Sequence, residues 1–193
     1  MSSTQIRSMR AAALQQRRAL SAQFILIASQ SAASQIYTLP DLQNARRIAA
    51  YFAFDNEIDP QPIVQTALDT GKEIYMPVLG AGKNLRFAPF VPGAELTMNH
   101  YGIPEPKCQS SALLTVGEMD VMVIPVVCFD ENCYRIGMGA GYYDRTLAHT
   151  PAQIPKKIGL AYEMQRVDST APQSWDVPMD MVVTEQRVYH RGV

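Results

Sequence analysis

The chain has 193 residues, of which 47% are hydrophobic and 18% are charged, and its formal net charge is -1. That length suits a single α/β domain over residues 1–193, and a near-neutral charge gives no overall field for binding nucleic acid. No apolar run is long enough to span a bilayer, and the three cysteines form no CxxC pair, so we expect a cytoplasmic protein without disulfides or a zinc site.

The N-terminal segment predicts a helix that carries an apolar stripe beside a basic one. The apolar stripe follows the 3.6-residue helical period and consists of Ile6, Met9, Ala13 and Leu20. The basic stripe lies next to it and consists of Arg7, Arg10, Arg17 and Arg18. Because no acidic residue precedes Asp41, these arginines have no ion-pair partner on their own helix, and we expect them to face solvent or to find anions elsewhere. The same composition also fits a transit peptide.

Helical and strand patterns alternate along the rest of the chain. A second helix begins after Ser21, a good N-cap, and a third begins at Pro60 and ends at Gly71. A further helix is predicted over residues 142–149, stopped by Pro151. Apolar runs predict strands over residues 47–54, 73–79, 85–90, 121–129, 157–162, 181–184 and 188–190, with 121–129 at the sheet centre. This alternation predicts one α/β domain with a mostly parallel, doubly wound, Rossmann-like sheet and helices on both faces.

The most informative stretch follows the central strand and opens the helix predicted after it. It reads RIGMGAGYYDR (135–145), with three glycines at every second position. Glycines let a backbone wrap closely around a ligand, and their N–H groups, with the helix N-terminus, suit phosphate. Arg135 and Arg145 can add charge-assisted contacts, and Asp144 is placed to hold Mg²⁺. A Gly-rich turn without any ligand explains the composition equally well, because the spacing fits neither GxGxxG nor a Walker A loop.

Four segments, in the right order, resemble the signatures of the 5-formyltetrahydrofolate cyclo-ligase family. The strongest is PVVCFD (125–130) followed by RIGMGAGYYDR (135–145). The others are RSMR (7–10) with RRALS (17–21), YFAFDNEID (51–59), and WDVPMD (175–180) followed by VVTE (182–185). The resemblance covers essentially the whole chain. It implies an enzyme that uses ATP and Mg²⁺ to close 5-formyltetrahydrofolate to 5,10-methenyltetrahydrofolate, through a phosphorylated N5-iminium intermediate, with release of ADP and phosphate.

The resemblance also implies roles for individual residues. Arg10, Tyr142 and Asp144 would be catalytic, and Mg²⁺ would be bound by Asp144 and Asp176. The residues implied to bind ATP are Arg7, Arg10, Arg135, Ile136, Gly137, Met138, Gly139, Ala140, Gly141, Tyr142 and Tyr143. The residues implied to contact the folate are Phe52, Glu57, Tyr101, Met138, Gly139, Ala140, Gly141 and Tyr142. Among them, Glu57 is placed to hydrogen-bond the pterin. We expect a monomer that binds these small molecules and neither nucleic acid nor membrane.

Two positions depart from the family pattern. Ile6 stands where a lysine is usual, four residues before Arg10. ATP binding is therefore expected to be weaker, or to be supported by Arg7 from the neighbouring position. Ala140 stands where glycine or lysine is common, and its methyl group narrows the backbone's freedom without excluding a phosphate contact.

Other interpretations stay open beside this one. A sugar-phosphate isomerase or CoA-transferase-like enzyme would share the fold class, and a nucleotide- or folate-binding module without turnover would explain the Ile6 departure. A cysteine nucleophile is disfavoured, because Cys128 ends an apolar strand and is expected to be core. Trp175 is expected to be packed and to position Asp176. The histidines are too scattered for a metal cluster, and they are His100, His149 and His190.

Overall fold

A seven-stranded sheet lies at the centre of the protein, in a computed structural model that describes residues 3–148, 150 and 154–192. In chain order the strands are β1 (Arg47–Ala49), β2 (Glu73–Leu79), β3 (Leu85–Phe90), β4 (Leu96–Met98), β5 (Pro104–Pro106), β6 (Val121–Pro125), β7 (Cys128–Phe129), β8 (Arg135–Ile136), β9 (Lys156–Leu160), β10 (Met181–Val183) and β11 (Val188–His190). The sheet order is β11-β10-β9-β6-β1-β2-β3, and β4–β5 and β7–β8 form two small separate sheets. Inner neighbours pair in parallel, whereas the edge strands β3 and β11 pair antiparallel.

Helices cover both faces of this sheet. They are α1 (Ser3–Arg18), α2 (Ala22–Ile36), α3 (Pro40–Asn44), α4 (Gln61–Asp69) and α5 (Tyr142–Leu147). Successive side chains of a strand point to opposite faces. Ile48 of β1 packs in a cluster with Ile36 of α2 and Ile63 of α4, whereas its neighbour Ala49 packs in a cluster with Leu147 of α5. The predicted α/β fold with a mostly parallel central sheet is therefore confirmed. Within the described ranges, no helix is both long and apolar enough to cross a membrane.

The predicted N-terminal helix is confirmed, and α1 packs against the small β7–β8 sheet. Ile6, Met9 and Ala13 of the apolar stripe lie in one cluster with buried residues of β7 and β8. The basic stripe is not uniform, because Arg17 is fully buried. Its anions come from the turn after β1, where it forms ion pairs with carboxylates that the sequence pattern did not connect to it.

Two predicted strands are shorter in the structure. The strand predicted over 47–54 ends with β1, because the chain turns soon afterwards at Asp55, whose φ is 51°. The strand predicted over 121–129 is divided: β6 lies at the sheet centre as predicted, but the last two residues pair with β8. Pro125 has no N–H to continue the ladder, and Gln165 donates to both carbonyl groups of the intervening residues.

Other element ends differ by a residue or two, which is the usual uncertainty of helix and strand boundaries. The strands β2, β3 and β11 have the predicted bounds. The helix predicted over 142–149 is observed as α5, and its predicted end at His149 with the stop at Pro151 lies outside the described residues.

Candidate functional site

A cavity of about 910 Å³ opens where the central parallel strands β1 and β6 leave the sheet. The carboxyl ends of adjacent parallel strands are the usual ligand site of open α/β sheets. Segments far apart in the sequence build its wall: α1, the chain after β1, the β4–β5 hairpin, the chain from β8 into α5, and the segment before β10.

The Gly-rich segment 137–141 forms one wall of this cavity, between β8 and α5. In the described part of the chain, the amides of Met138, Gly139 and Ala140 donate no hydrogen bond to the protein. Consecutive free amides form a concave donor set that suits an anion. Because α5 is 6 residues long, its dipole adds less than that of a long helix, and the donor set rests chiefly on the loop itself.

Two arginines brace the ends of this loop. Arg10 donates from Nε to the Gly137 carbonyl oxygen over 2.7 Å. Arg145 donates from Nη2 to the Ala140 carbonyl oxygen. Both arginines line the cavity, so two guanidinium groups lie beside the free amides. Positive charge therefore lies beside the free amides in a chain whose net charge is close to zero.

The same arginines explain why glycine occupies two positions of the loop. Gly139 has a φ of 102°, and a β-carbon there would lie 3.4 Å from Cζ of Arg10. Gly141 begins α5 with a φ of 72°, and a β-carbon there would lie 3.1 Å from Nη1 of Arg145. Both positions therefore need glycine for backbone conformation and for close approach of a guanidinium group.

Asp144 and Asp176, the residues predicted to bind Mg²⁺, line the same cavity. Asp144 accepts at Oδ1 from Nη2 of Arg135 over 2.7 Å, and Nη1 of Arg135 donates to the Val177 carbonyl oxygen over 2.8 Å. One buried guanidinium group thus joins α5 to the segment that carries Asp176. The Oδ2 atom of Asp176 accepts from the Gln173 amide over 2.7 Å.

This donor set fits Mg²⁺ held together with phosphates. Proteins usually bind that ion through one or two carboxylates, with waters and substrate phosphates completing the octahedron. Asp144 and Asp176 supply two carboxylates to the cavity that the free amides of the loop also line, which matches that requirement. Among the described residues, no group of three or more His, Cys, Asp or Glu side chains is arranged to hold a metal ion by itself.

Glu57 is a nearly buried carboxyl group that lines the same cavity. It accepts at Oε2 from the Phe54 amide over 3.1 Å, and its Oε1 atom lies 3.5 Å from Nη1 of Arg17. Burial raises the pKa of Glu57 to about 7, while the charge of Arg17 and the Phe54 amide act in the opposite direction. The group is therefore poised between its neutral and charged forms near neutral pH.

Aromatic side chains also line the cavity. Tyr101 meets Tyr142 edge-on, with ring centroids 6.2 Å apart, and Phe52 meets Phe90 edge-on at 5.5 Å. Tyr101, Tyr142 and Phe52 all line the cavity. They offer flat apolar surface on which a ring system can lie.

The structure brings together the residues singled out by the sequence, with the exception of Arg7. Arg7 is exposed on α1 and does not line the cavity, so its role in binding ATP gains no support from the geometry. Ile6 does line the cavity, which puts the departure from the family pattern at the site itself.

The expectation that Trp175 is packed is wrong. Its side chain is 67% exposed and lines the cavity, because the chain before β10 forms neither a helix nor a strand that would carry it into the core. Sequence reasoning also missed Asn99 and Glu105, which bracket Tyr101 in the wall. Glu105 accepts from Asn99 over 2.9 Å, a contact that no sequence pattern indicates.

Cysteine chemistry finds no support at this site. Cys128 is buried, as predicted, and neither it nor Cys133 lines the cavity. Burial raises the pKa of both thiols to about 11, so they are protonated at neutral pH.

Comparisons with known proteins identify the family of the chain. The sequence model of the 5-formyltetrahydrofolate cyclo-ligase family matches residues 2–185. The chain is 38% identical over 178 residues to the 5-formyltetrahydrofolate cyclo-ligase of Escherichia coli (strain K12), covering 91% of this chain and 97% of that protein. It is 36% identical over 180 residues to the enzyme of the same name from Haemophilus influenzae, covering 91% of each.

Solved structures show the same similarity. The 5,10-methenyltetrahydrofolate synthetase of Aquifex aeolicus superposes with a TM-score of 0.83 at 28% identity, covering 97% of this chain and 93% of that one. The synthetase of Mycoplasma pneumoniae superposes with a TM-score of 0.75 at 25% identity, covering 93% and 98%. The family predicted from the sequence motifs, and with it the assignment to the ligase enzymes, is confirmed: the chain belongs to the 5-formyltetrahydrofolate cyclo-ligase family.

Proposed function

We propose that the protein uses ATP and Mg²⁺ to close 5-formyltetrahydrofolate to 5,10-methenyltetrahydrofolate, with release of ADP and phosphate. The observation that carries the proposal is that Arg10, the Gly-rich segment 137–141 and Glu57 line one cavity of about 910 Å³. Free amides and guanidinium groups suit a triphosphate, and a buried carboxyl group suits the amino and ring nitrogens of a pterin. That volume is near the upper end of the range for small-molecule pockets, which leaves room for two substrates.

The proposed reaction has two steps. The oxygen of the formyl group on N5 attacks the γ-phosphorus of ATP. The bond between this phosphorus and the oxygen that bridges it to the β-phosphorus breaks, and ADP leaves. The product is an N5-iminium phosphate, whose carbon is now electrophilic. N10 attacks this carbon and loses its proton, and the C–O bond breaks to release phosphate and form the methenyl bridge. Both steps need charge neutralisation and alignment more than acid–base chemistry.

The side chains of the cavity match those needs. The amides of residues 138–140, with Arg10 and Arg145, would bind and neutralise the phosphate oxygens. Asp144 and Asp176 would hold Mg²⁺, which supplies positive charge to the phosphates when it is bound. Arg135 is paired with Asp144, so we assign it to orienting that carboxylate.

Glu57 and the aromatic side chains would hold the folate. Glu57 would bind the pterin, while Phe52, Tyr101 and Tyr142 enclose the rings and keep N10 close to the formyl carbon. Exclusion of water by these rings protects the phosphorylated intermediate from hydrolysis.

Wider features of the protein belong to the same proposal. Residues 1–193 would act as one domain, as a cytoplasmic monomer that binds no nucleic acid, and the family match over residues 2–185 supports the single domain. Its Rossmann-like sheet would be related to those of sugar-phosphate isomerases and CoA transferases. Sedimentation of the purified protein tests whether it is a monomer.

One assay tests the activity. Purified protein is mixed with ATP, Mg²⁺ and 5-formyltetrahydrofolate, and the near-ultraviolet absorbance of the methenyl product is followed together with ADP. We expect both to appear at equal rates, and only when all components are present. Arg10→Ala should weaken the binding of both ATP and the folate. Binding of ATP and folate without turnover would identify a binding module, and failure to bind the folate would contradict the proposal.

A further inference from the structure

Arg17 is the largest fully buried side chain that the reaction proposed above does not use. It donates from Nε to the Asp55 carbonyl oxygen over 2.8 Å. Its Nη2 atom lies 3.6 Å from the Asp55 carboxylate, and its Nη1 atom lies 3.5 Å from that of Glu57. Neither of these two nitrogens has a hydrogen-bond partner among the described residues. A buried guanidinium group with so few short contacts is costly for the folded state unless its charge has a use.

The contacts of Arg17 hold the turn that carries Glu57. Asp55 and Asn56 have φ values of 51° and 58°, a left-handed conformation that non-glycine residues rarely adopt. Asn56 donates from Nδ2 to the Arg17 carbonyl oxygen over 3.4 Å, so α1 contacts the turn through backbone and side chain. The turn places Glu57 in the cavity wall, whereas Arg17 stays behind it and lines no part of the cavity.

The charge of Arg17 also acts on the ionisation of Glu57. Burial favours the neutral acid, and Arg17 is the strongest influence in the opposite direction, with a final pKa of about 7. The other titratable groups around this carboxyl come from several elements, and they are Asp55, Tyr51, Tyr143 and Tyr162. Arg17 is the positive one among them, while Asp55 raises the pKa of Glu57.

We propose that Arg17 is a positioning residue that acts on bound folate through Glu57: it holds the 54–57 turn and favours the charged form of the Glu57 carboxyl group in the cavity wall. The expected effect on the folate KM rests on the proposed role of Glu57 in binding folate. The expected effect of Arg17 on the ionisation of Glu57 is independent of any ligand and is tested separately.

The first experiment is a pH titration of ligand-free protein with ¹³C-labelled glutamate carboxyl groups, with the Glu57 signal assigned through Glu57→Gln. In Arg17→Met the midpoint of Glu57 should rise by about one to three pH units, the effect of removing one nearby opposite charge. Arg17→Lys keeps the charge and should stay close to wild type. Arg18→Met is the matched control, because Arg18 binds the Asp55 carboxylate at 2.8 Å from an exposed position.

The second experiment measures KM for the folate and for ATP against pH. In Arg17→Met the folate KM should be raised at neutral pH and recover at alkaline pH, with the ATP KM unchanged. An unchanged Glu57 midpoint in Arg17→Met, or an equal shift in Arg18→Met, overturns the inference. If the Glu57 midpoint shifts in Arg17→Met but neither wild type nor any variant catalyses the cyclisation, the proposed function is overturned instead.

A variant that does not fold is also decisive. If Arg17→Met fails to fold because Glu57 is left buried and unpaired, the double variant Arg17→Met/Glu57→Gln removes both charges and should fold. If the double variant also fails to fold, Arg17 supports the fold through contacts other than Glu57, and the inference is wrong.

Discussion

Arg135 and Asp144 form an ion pair in the wall of the cavity, with Nη2 and Oδ1 2.7 Å apart. The Arg135 side chain is buried and the Asp144 side chain is partly exposed. Because the same guanidinium group also binds the Val177 carbonyl oxygen, it fastens two segments that meet only in the folded protein. The pair fixes one oxygen of Asp144, whereas Asp176 has no such cationic partner among the described residues.

The first prediction distinguishes the two aspartates. Asp144→Asn and Asp176→Asn should each raise the Mg²⁺ concentration needed for half-maximal turnover by at least about tenfold, because an amide is a poorer ligand for a hard cation. Asp144→Asn should also lower the free energy of unfolding by about 1.5–3 kcal/mol, since the neutral amide leaves the buried Arg135 charge without its anionic partner. Asp176→Asn should unfold like wild type. Glu131→Gln, an exposed acid paired with Arg166, is the control for loss of a carboxylate. Wild-type Mg²⁺ dependence in both aspartate variants would show that neither binds the metal.

The second prediction concerns folate affinity. Glu57→Gln should weaken folate binding by about 1.5–3 kcal/mol, the value of a hydrogen bond to a charged group, while ATP binding stays nearly intact. The two KM values measured in parallel check this. An equal loss for both ligands would point to damage of the whole cavity.

The third prediction concerns stability against pH. The folded pKa of Glu57, about 7, lies above its ordinary value of 4.5. The contribution of this group to stability is therefore fully present below about pH 4.5 and is lost as the pH rises through about 7. Denaturant unfolding measures the free energy of unfolding of wild type and Glu57→Gln from pH 4 to 8. Over this range the free energy of unfolding of wild type should fall by about 3 kcal/mol more than that of the variant. Parallel profiles would contradict the raised pKa.

The fourth prediction tests the departure at Ile6. Ile6 lines the cavity, so Ile6→Lys should place a cation near bound triphosphate and tighten ATP binding by about 1 kcal/mol, with the gain shrinking as salt rises. Thr4→Lys adds the same charge to an exposed position of α1 outside the cavity lining and serves as the control. Titration of both variants with ATP at low and high salt separates a local contact from a general charge effect. Equal gains in the two variants would count against a phosphate contact at position 6.

The fifth prediction compares two glycines of the loop. Gly139→Ala should lower the free energy of unfolding by about 1–2 kcal/mol, because its φ of 102° disfavours any β-carbon and Arg10 lies 3.4 Å from that position. Gly137→Ala meets no atom within 4 Å and should unfold like wild type. Thermal or denaturant unfolding of the two variants provides the comparison. Equal destabilisation would contradict the special need for glycine at position 139.

Much of the fold could be predicted because its signals are local. Ser21 accepts a hydrogen bond from the Phe24 amide and begins α2, and Gly71 follows α4 with a φ of 76°. The bounds of β2 and β3 followed from largely apolar stretches between turn residues. The Gly-rich segment was recognisable for the same reason, since its glycines and arginines lie within eleven consecutive positions.

Tertiary structure alone decided which segments meet. Arg17 belonged to a basic stripe by its spacing, yet it is buried because Asp55, 38 residues away, turns back onto α1. Trp175 was predicted to be packed, yet it stays exposed because no helix or strand carries it inward. Helical period and apolar pattern report which face of an element is buried, whereas ion pairs and cavity walls depend on packing between elements that are distant in the chain. The sequence therefore determined the elements, the Gly-rich loop and the family, and only the packed structure placed Glu57 between a ligand cavity and a buried arginine.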